Sequence, residues 1–308
     1  MRVLSHIGGP IAEQIRAAAP EIDVVEIPAD QDLDPGVDGE VLFTLAWGMP
    51  NLEHVLDRGV RWVHTLGTGV DRFPLSLVGE RTLTCARGAS AVPIAEWVLA
   101  QMLAFEKRLP ESWITDAPAQ WHTAELGGLS GRTLGLIGLG GIGAAVAARA
   151  VPFGMRVVAR RRTPQSSPVA GVEVAGSLDP VLEEADHLVV TAPATPETRH
   201  LLDAAAFAHI RSGVHLVNIA RGSLIDQDAL RVALDDGRVA RASLDAVEPE
   251  PLPAGHWMYT HPNVRLSPHI SWSMPGASDL LVSTFIDNLH RYLAGAPLVG
   301  VVDVDAGY

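Results

Sequence analysis

Hydrophobic positions in this chain fall in short runs, separated by stretches where apolar residues return every three or four positions. The runs at 2–4, 22–27, 41–45, 62–65 and 82–84 read as strands, and the spacing at 11–18 and 52–58 predicts helices between them. Residues 93–109, PIAEWVLAQMLAFEKRL, repeat apolar positions at helical spacing, and Pro93 suits a first turn; this helix is expected to cross between two domains. Residues 110–131, with Trp113, Pro118, Trp121 and several glycines, read as an irregular linker. Alternation then resumes, with strands expected at 134–137, 156–159, 187–191, 214–219, 240–245 and 264–267, so six or seven parallel strands accumulate after residue 133. The Pro- and Ser-bearing stretch 163–171 is expected to be a loop. Residues 279–293 form an amphipathic helix ending near Gly295, and the apolar tail 299–304 could rejoin the first domain's sheet.

One stretch organises this alternation. The apolar run 134–137 leads into Gly138, Gly140 and Gly143 in G-x-G-x-x-G spacing, then an Ala-rich segment and a second apolar strand. That order is strand, tight turn, helix, strand. The first glycine permits the turn, the second lets backbone approach a pyrophosphate, and the third lets helix pack on strand, with phosphate at the helix N-terminus. The spacing by itself is weak evidence in a chain with 29 glycines; its flanking elements make it a dinucleotide site. At the end of the second strand, where such a unit places an acid for the ribose 2′-OH, stand Arg160, Arg161 and Arg162. They offer charge-assisted bonds to a 2′-phosphate, against the alternative of a solvated charged turn.

Composition narrows the class. A chain of 308 residues, 47% of them hydrophobic, can bury two cores, about 150 residues each as a prior. The single cysteine, Cys85, excludes an intramolecular disulfide framework and a cysteine-based metal site, and no metal is expected. A net charge of −13 argues against a nucleic-acid surface. Neither a leader-like opening nor an apolar run of about 20 residues occurs, so a soluble, cytoplasmic protein is expected.

Chemistry belongs at the carboxyl ends of the later strands, where Arg221, Glu250 and His269 stand. Arg can grip a carboxylate and a ketone oxygen through its planar fork, His can supply a proton near neutral pH, and Glu can orient the imidazole. Taken singly, each has a plainer reading: a surface cation, a solvated acid in an EPEP turn, one of 12 histidines. The loop 66–71, LGTGVD, follows the 62–65 strand, where Gly67 and Gly69 would leave amides accessible to an anion; it also reads as an ordinary turn.

Together these pieces resemble the D-isomer-specific 2-hydroxyacid dehydrogenases, a family that includes glyoxylate/hydroxypyruvate reductases. The resemblance runs from about Trp62 to Trp272 through HTLGTGVD, AEWVLAQML, LGLIGLGGIG, APATPETRHLL, HLVNIARGSLID, ASLDAVEPEPLP and SPHIS, in the family's order. It implies an α/β fold of two doubly wound parallel-sheet domains, a Rossmann nucleotide-binding domain (96–274) inserted into a flavodoxin-like substrate domain (1–95 plus 275–308). It implies Arg221, Glu250 and His269 as the catalytic residues, Glu and His forming a paired relay. It implies that Gly67, Thr68, Gly69, Val70 and Trp272 line the substrate alongside Arg221. Cofactor contacts are expected from Gly138, Gly140, Gly141, Ile142, Gly143, Pro193, Thr198, Ile219, Ala220 and Asp245. The Arg160–Arg162 triplet departs from the acidic pattern of NAD-dependent members, so NADP(H) is expected over NAD(H). Trp272 and Met274 stand where many members have small residues, which bears on substrate size.

The expected reaction is hydride transfer to C2 of a small 2-keto acid, giving a D-2-hydroxy acid, with His269 donating a proton and Arg221 stabilising the alkoxide. Glu250 would favour the imidazolium, so the rate should fall at high pH. A homodimer is usual in the family. Two other readings on this scaffold are a redox-sensing NAD(P)-binding protein and a phosphite- or formate-type dehydrogenase; the formate branch carries an amide in place of the relay carboxylate, against Glu250.

Overall fold

The computed structural model describes residues 1–163 and 165–308; Pro164, inside the expected loop 163–171, lies outside the described residues. The chain divides into two compact units, Met1–Ser90 with Met274–Tyr308, and Ala91–Ser273.

In the first unit the strands are β1 (Arg2–Ser5), β2 (Asp23–Glu26), β3 (Val41–Leu45), β4 (Trp62–Leu66) and β5 (Thr82–Cys85), all parallel, in the order β2-β1-β3-β4-β5. The central strands are buried along nearly their whole length because helices cover both faces, as parallel sheets require. On one face α1 (Pro10–Ala18) and the carboxyl-terminal helix pack Ile15, Val282, Phe285 and Leu289 against Phe43 and Trp62. On the other, Leu52, Val55 and Leu56 of α2 (Leu52–Leu56) meet Leu42, Val63 and Phe73. The tail returns beside β5 through a single antiparallel bridge, Thr84 with Val301, flanked by Cys85 N–H to Gly300 and Val302 N–H to Leu83.

The second unit opens with α3 (Ala91–Glu106), so the expected boundary at 95 falls inside this helix, which belongs wholly to the second unit. The helix ends three residues short of the expected 109, because Pro110 disfavours helical backbone at the residue before it. Seven parallel strands follow: β6 (Thr133–Ile137), β7 (Arg156–Arg160), β8 (Val172–Ala175), β9 (His187–Val190), β10 (Val214–Asn218), β11 (Val239–Leu244) and β12 (Val264–Leu266), in the order β12-β11-β10-β9-β6-β7-β8. Strand order reverses at β6, the switch point of a doubly wound nucleotide fold. β8 has no counterpart in the expected strands: it is a short edge strand with no fully buried position, so it carries no hydrophobic run. α3 and α4 (Gly141–Ala150) pack one face, through Val98, Met102, Val146 and Ala147. α5 (Asp179–Glu184), α6 (Ala204–His209) and α7 (Gln227–Asp235) pack the other, through Leu182, Phe207 and Leu230. The last helix, α8 (Ala277–Leu293), belongs to the first unit, and no helix among the described residues is long and apolar enough to cross a membrane.

Candidate active site

Three adjacent strands, β10, β11 and β12, end together and carry Arg221, Glu250 and His269 on the loops that follow. Asn218, fully buried at the end of β10, ties the first two loops. Its amide donates to the Arg221 carbonyl at 2.9 Å and the Ala246 carbonyl at 3.1 Å, while its oxygen accepts the Ala220 N–H at 3.1 Å. A buried amide with every partner supplied is a rigid cross-brace. Arg221 donates to the Ala220 carbonyl at 2.8 Å, and its charge acts on Glu250.

His269 and Glu250 form a direct pair: Nδ1 of the imidazole lies 3.0 Å from Oε2 of the carboxylate. The other carboxylate oxygen, Oε1, accepts the Val247 N–H at 3.1 Å, so both oxygens are committed. Burial pushes the Glu250 carboxyl upward, but the His269 hydrogen bond and charge, the Val247 N–H and the Arg221 charge outweigh it. The net result lies below the ordinary carboxylate range.

The backbone at His269 has φ 55°, a left-handed conformation that side-chain-bearing residues seldom adopt. Its N–H donates to the Asp245 and Ser267 carbonyls, at 3.0 Å each, and its carbonyl accepts the Trp272 indole N–H at 2.9 Å. Asp245 holds the rest of the turn: its buried carboxylate accepts the Ser267 hydroxyl and the N–H groups of Ile270 and Ser271, both at 2.9 Å. Thus Asp245, expected beside the cofactor, and Trp272, expected beside the substrate, both spend polar groups on the turn that presents His269. Trp272 still leaves part of its ring exposed.

The glycine motif has the geometry its spacing predicts. Gly138 has φ 108°, and a Cβ there would lie 2.7 Å from the Ala192 nitrogen; a Cβ at Gly143 would collide with the Gly138 carbonyl oxygen. Around Gly140 nothing lies within 4 Å of where a Cβ would be, an open approach to the start of α4, where Gly141 and Ile142 begin the helix. Such a cradle fits a dinucleotide pyrophosphate. Arg160, Arg161 and Arg162 line a cavity of about 470 Å³ with Gln165, Ser166, Val174, Ala175 and Gly176. Among the described residues, Arg161 makes two long contacts at 3.4 Å, to the Ser166 carbonyl and Gln165. Thr198 holds its own loop, donating to the Pro193 carbonyl at 2.7 Å and accepting the Thr195 N–H at 2.8 Å. Ile219 and Ala220 are buried, and the Ala220 N–H is taken by Asn218.

Residues Gly67, Thr68, Gly69 and Val70 lie in the first unit, on the loop after β4. Gly67 has φ 136° and its carbonyl accepts the Ala86 N–H at 2.8 Å; the Thr68 hydroxyl donates to the Ala86 carbonyl at 3.3 Å; Val70 is buried. Sequence reading did not single out Asn218, Ser267 or Gln227. Each has a partner distant in sequence, the Ala246 carbonyl for Asn218, the Asp245 carboxylate for Ser267 and the Glu248 backbone for Gln227, and only the position of Asn218, in HLVNIARG just before Arg221, offered a signal.

The family described as D-isomer specific 2-hydroxyacid dehydrogenase, NAD binding domain, matches residues 99–271, more than half of the chain. Glyoxylate/hydroxypyruvate reductase A of Serratia proteamaculans is 31% identical over 288 residues, covering 89% of this chain and 90% of that one. A D-isomer specific 2-hydroxyacid dehydrogenase from Xanthobacter autotrophicus, solved in complex with NADPH and MES, superposes with a TM-score of 0.85 at 28% identity, over 100% of this chain and 99% of that one. The NADPH-dependent glyoxylate/hydroxypyruvate reductase of Sinorhizobium meliloti, solved with NADP and sulfate, gives 0.83 at 27% identity, over 100% and 99%.

Proposed function

This chain belongs to the D-isomer specific 2-hydroxyacid dehydrogenase family, a group of NAD(P)-dependent oxidoreductases, and from that premise we propose that it reduces a small 2-keto acid with NADPH. The observation that carries the reading is the His269–Glu250 pair, 3.0 Å apart on loops adjoining that of Arg221. NADPH, when bound, supplies the hydride that adds to the substrate carbonyl carbon. Gly138, Gly140, Gly141, Ile142 and Gly143 hold its pyrophosphate, Arg160–Arg162 its 2′-phosphate, and Pro193, Thr198, Ile219, Ala220 and Asp245 lie along the remainder.

In this mechanism Arg221 binds the substrate's carboxylate and carbonyl oxygens and stabilises the charge that builds on the carbonyl oxygen. His269 donates its proton to that oxygen, and Glu250 keeps the imidazole oriented and favours its charged form. The loop Gly67–Val70 contributes amides to the substrate carboxylate, and the ring of Trp272 limits substrate size. The negative charge of Glu250 favours this reading over a formate-type reaction, and the complete Arg–Glu–His set favours turnover over redox sensing. Glyoxylate and hydroxypyruvate are the substrates we propose, after the relatives named for them. A panel of glyoxylate, hydroxypyruvate, pyruvate and bulkier 2-keto acids, each with NADPH and NADH, tests this. Turnover of none of them rejects the enzyme reading, and preference for a bulky acid rejects the substrate class.

We further propose a cytoplasmic homodimer. The family resemblance supports the assembly, as do Trp113, Ile114, Trp121 and Leu126, exposed apolar side chains on the irregular arm between α3 and β6 that a second copy of the chain would cover. A monomeric sedimentation mass at micromolar concentration would reject it.

A further inference from the structure

Besides the Asn218 brace, the segment that follows Arg221 touches the loop that carries Glu250 at Gly222 and Gln227, and we propose that Gln227 is a positioning residue for the Glu250–His269 pair. This rests on the roles proposed above for that pair. Gln227 is the first residue of α7. The helix end does not need its side chain, because the Asp226 carboxylate accepts the Asp228 and Ala229 N–H groups at 3.0 and 3.1 Å. The Gln227 amide instead engages the backbone of Glu248 from both sides: Oε1 accepts the Glu248 N–H at 3.3 Å, and Nε2 donates to the Glu248 carbonyl. Only a primary amide offers donor and acceptor side by side in this way, and Asn is one methylene too short to reach from the same helix position.

The second point is steric. A Cβ on Gly222 would collide with the Val247 carbonyl carbon and the Glu248 nitrogen, so the residue after Arg221 lies directly on the Val247–Glu248 peptide. That peptide is therefore pressed by Gly222 and gripped by Gln227. Val247 in turn donates its N–H to Glu250 Oε1, leaving Oε2 for His269. The line of control runs from Gln227 through the 247–248 backbone to the carboxylate that orients the imidazole. The Arg199–Glu248 ion pair beside it, at 3.2 Å, is half exposed and adds little rigidity. The charged groups around His269 in this arrangement are Glu250, which it touches, Arg221, acting on that carboxylate, and Asp245, which holds the turn.

Gln227→Met keeps length and volume and removes both hydrogen bonds. We expect kcat to fall roughly tenfold while KM for NADPH stays within about twofold, a split that a general loss of structure would not produce. Gln227→Asn, which retains the amide but retracts it, carries the same expectation if the Met variant does not fold. In a Glu250→Gln background, Gln227→Met should have no further effect on kcat, because the group it positions is gone. Wild-type kcat in Gln227→Met, a fall in kcat matched by an equal loss of NADPH binding, or full additivity with Glu250→Gln would overturn the proposal. His269→Ala separates the two failures: if it turns over normally, the site reading itself is wrong; if it is inactive while Gln227→Met is normal, only the positioning role falls.

Discussion

Among the histidine–carboxylate pairs of the nucleotide-binding unit, His269–Glu250 and His187–Glu106 are alike in contact and opposite in setting. His269 and Glu250 are 3.0 Å apart with side chains 38% and 22% exposed; His187 and Glu106 are 3.1 Å apart with side chains 0% and 5% exposed. The first lies beyond the carboxyl ends of β11 and β12. The second lies at the amino end of β9 and continues inward, His187 Nδ1 to His215 Nδ1 at 3.1 Å, His215 Nε2 to Ser243 Oγ at 3.0 Å, with Phe105 stacked on His215 at 4.6 Å. The His187 hydrogen bond holds the Glu106 carboxyl below its ordinary range in spite of its burial. Chemistry needs a group that a substrate can reach, and a doubly wound sheet offers access at the carboxyl ends of its strands. The same pair sealed at the opposite end can only hold structure, at the risk of a large penalty if one partner is lost.

Removing each imidazole should break the likeness in opposite directions. His269→Ala is expected to lower kcat by roughly 10²–10⁴-fold with the denaturation midpoint and NADPH affinity nearly unchanged. Near wild-type turnover would remove His269 from the mechanism. His187→Leu should leave kcat of the folded enzyme within about twofold but cost ~3 kcal/mol of stability, because Glu106 is left with only the more distant Arg132, at 3.7 Å, among the described cations and Nδ1 of His215 loses its hydrogen bond in the core. Urea titration measures this, and a collapse of kcat at intact stability would show that the inner pair reaches the site.

Acid should act on the buried histidines before the exposed pair loses its structure. Burial pushes His215 well below its ordinary value and His64, whose Nε2 has no partner among the described residues, to about 3. Below pH about 6.5 the unfolded chain takes up protons that the folded chain refuses, so stability is present above that pH and is lost as pH falls. The slope is at most about 1.4 kcal/mol per pH unit for each such histidine. Flat stability between pH 6.5 and 5 would show these rings to be accessible. The smallest effect concerns the other open strand end, at β7. Double replacement of Arg160 and Arg161 by Ser should raise KM for NADPH about tenfold more than KM for NADH, and a wild-type preference for NADH would make the triplet a solvated turn.

The G-x-G-x-x-G turn was legible because each glycine answers a local constraint: Gly138 a positive φ, Gly143 a collision with the neighbouring turn, Gly140 an open approach. The long parallel strands were legible because both of their faces are buried, which writes a continuous apolar run. β8 was not, since an edge strand exposed on one side writes no such run. His187 in DHLVV opens an apolar strand and His269 in SPHIS follows one, a difference the sequence does show; which carboxylate each imidazole meets is not written there.

The sequence by itself determined the alternation of strand and helix, the phosphate-binding turn, the arginine triplet at the end of β7 and the order of Arg221, Glu250 and His269 along the chain. These are properties of neighbours in sequence, set by backbone conformation and periodic burial. Tertiary structure decided which imidazole meets which carboxylate, that Asp245 and Trp272 brace the His269 turn, and that Gln227 grips the loop of Glu250. The contacts of Glu250, Asp245 and Gln227 join residues far apart in sequence that meet only when β10, β11 and β12 align, whereas the Trp272 indole reaches the His269 carbonyl within one turn. A hydrogen bond depends on distances of a few tenths of an ångström that no local pattern encodes.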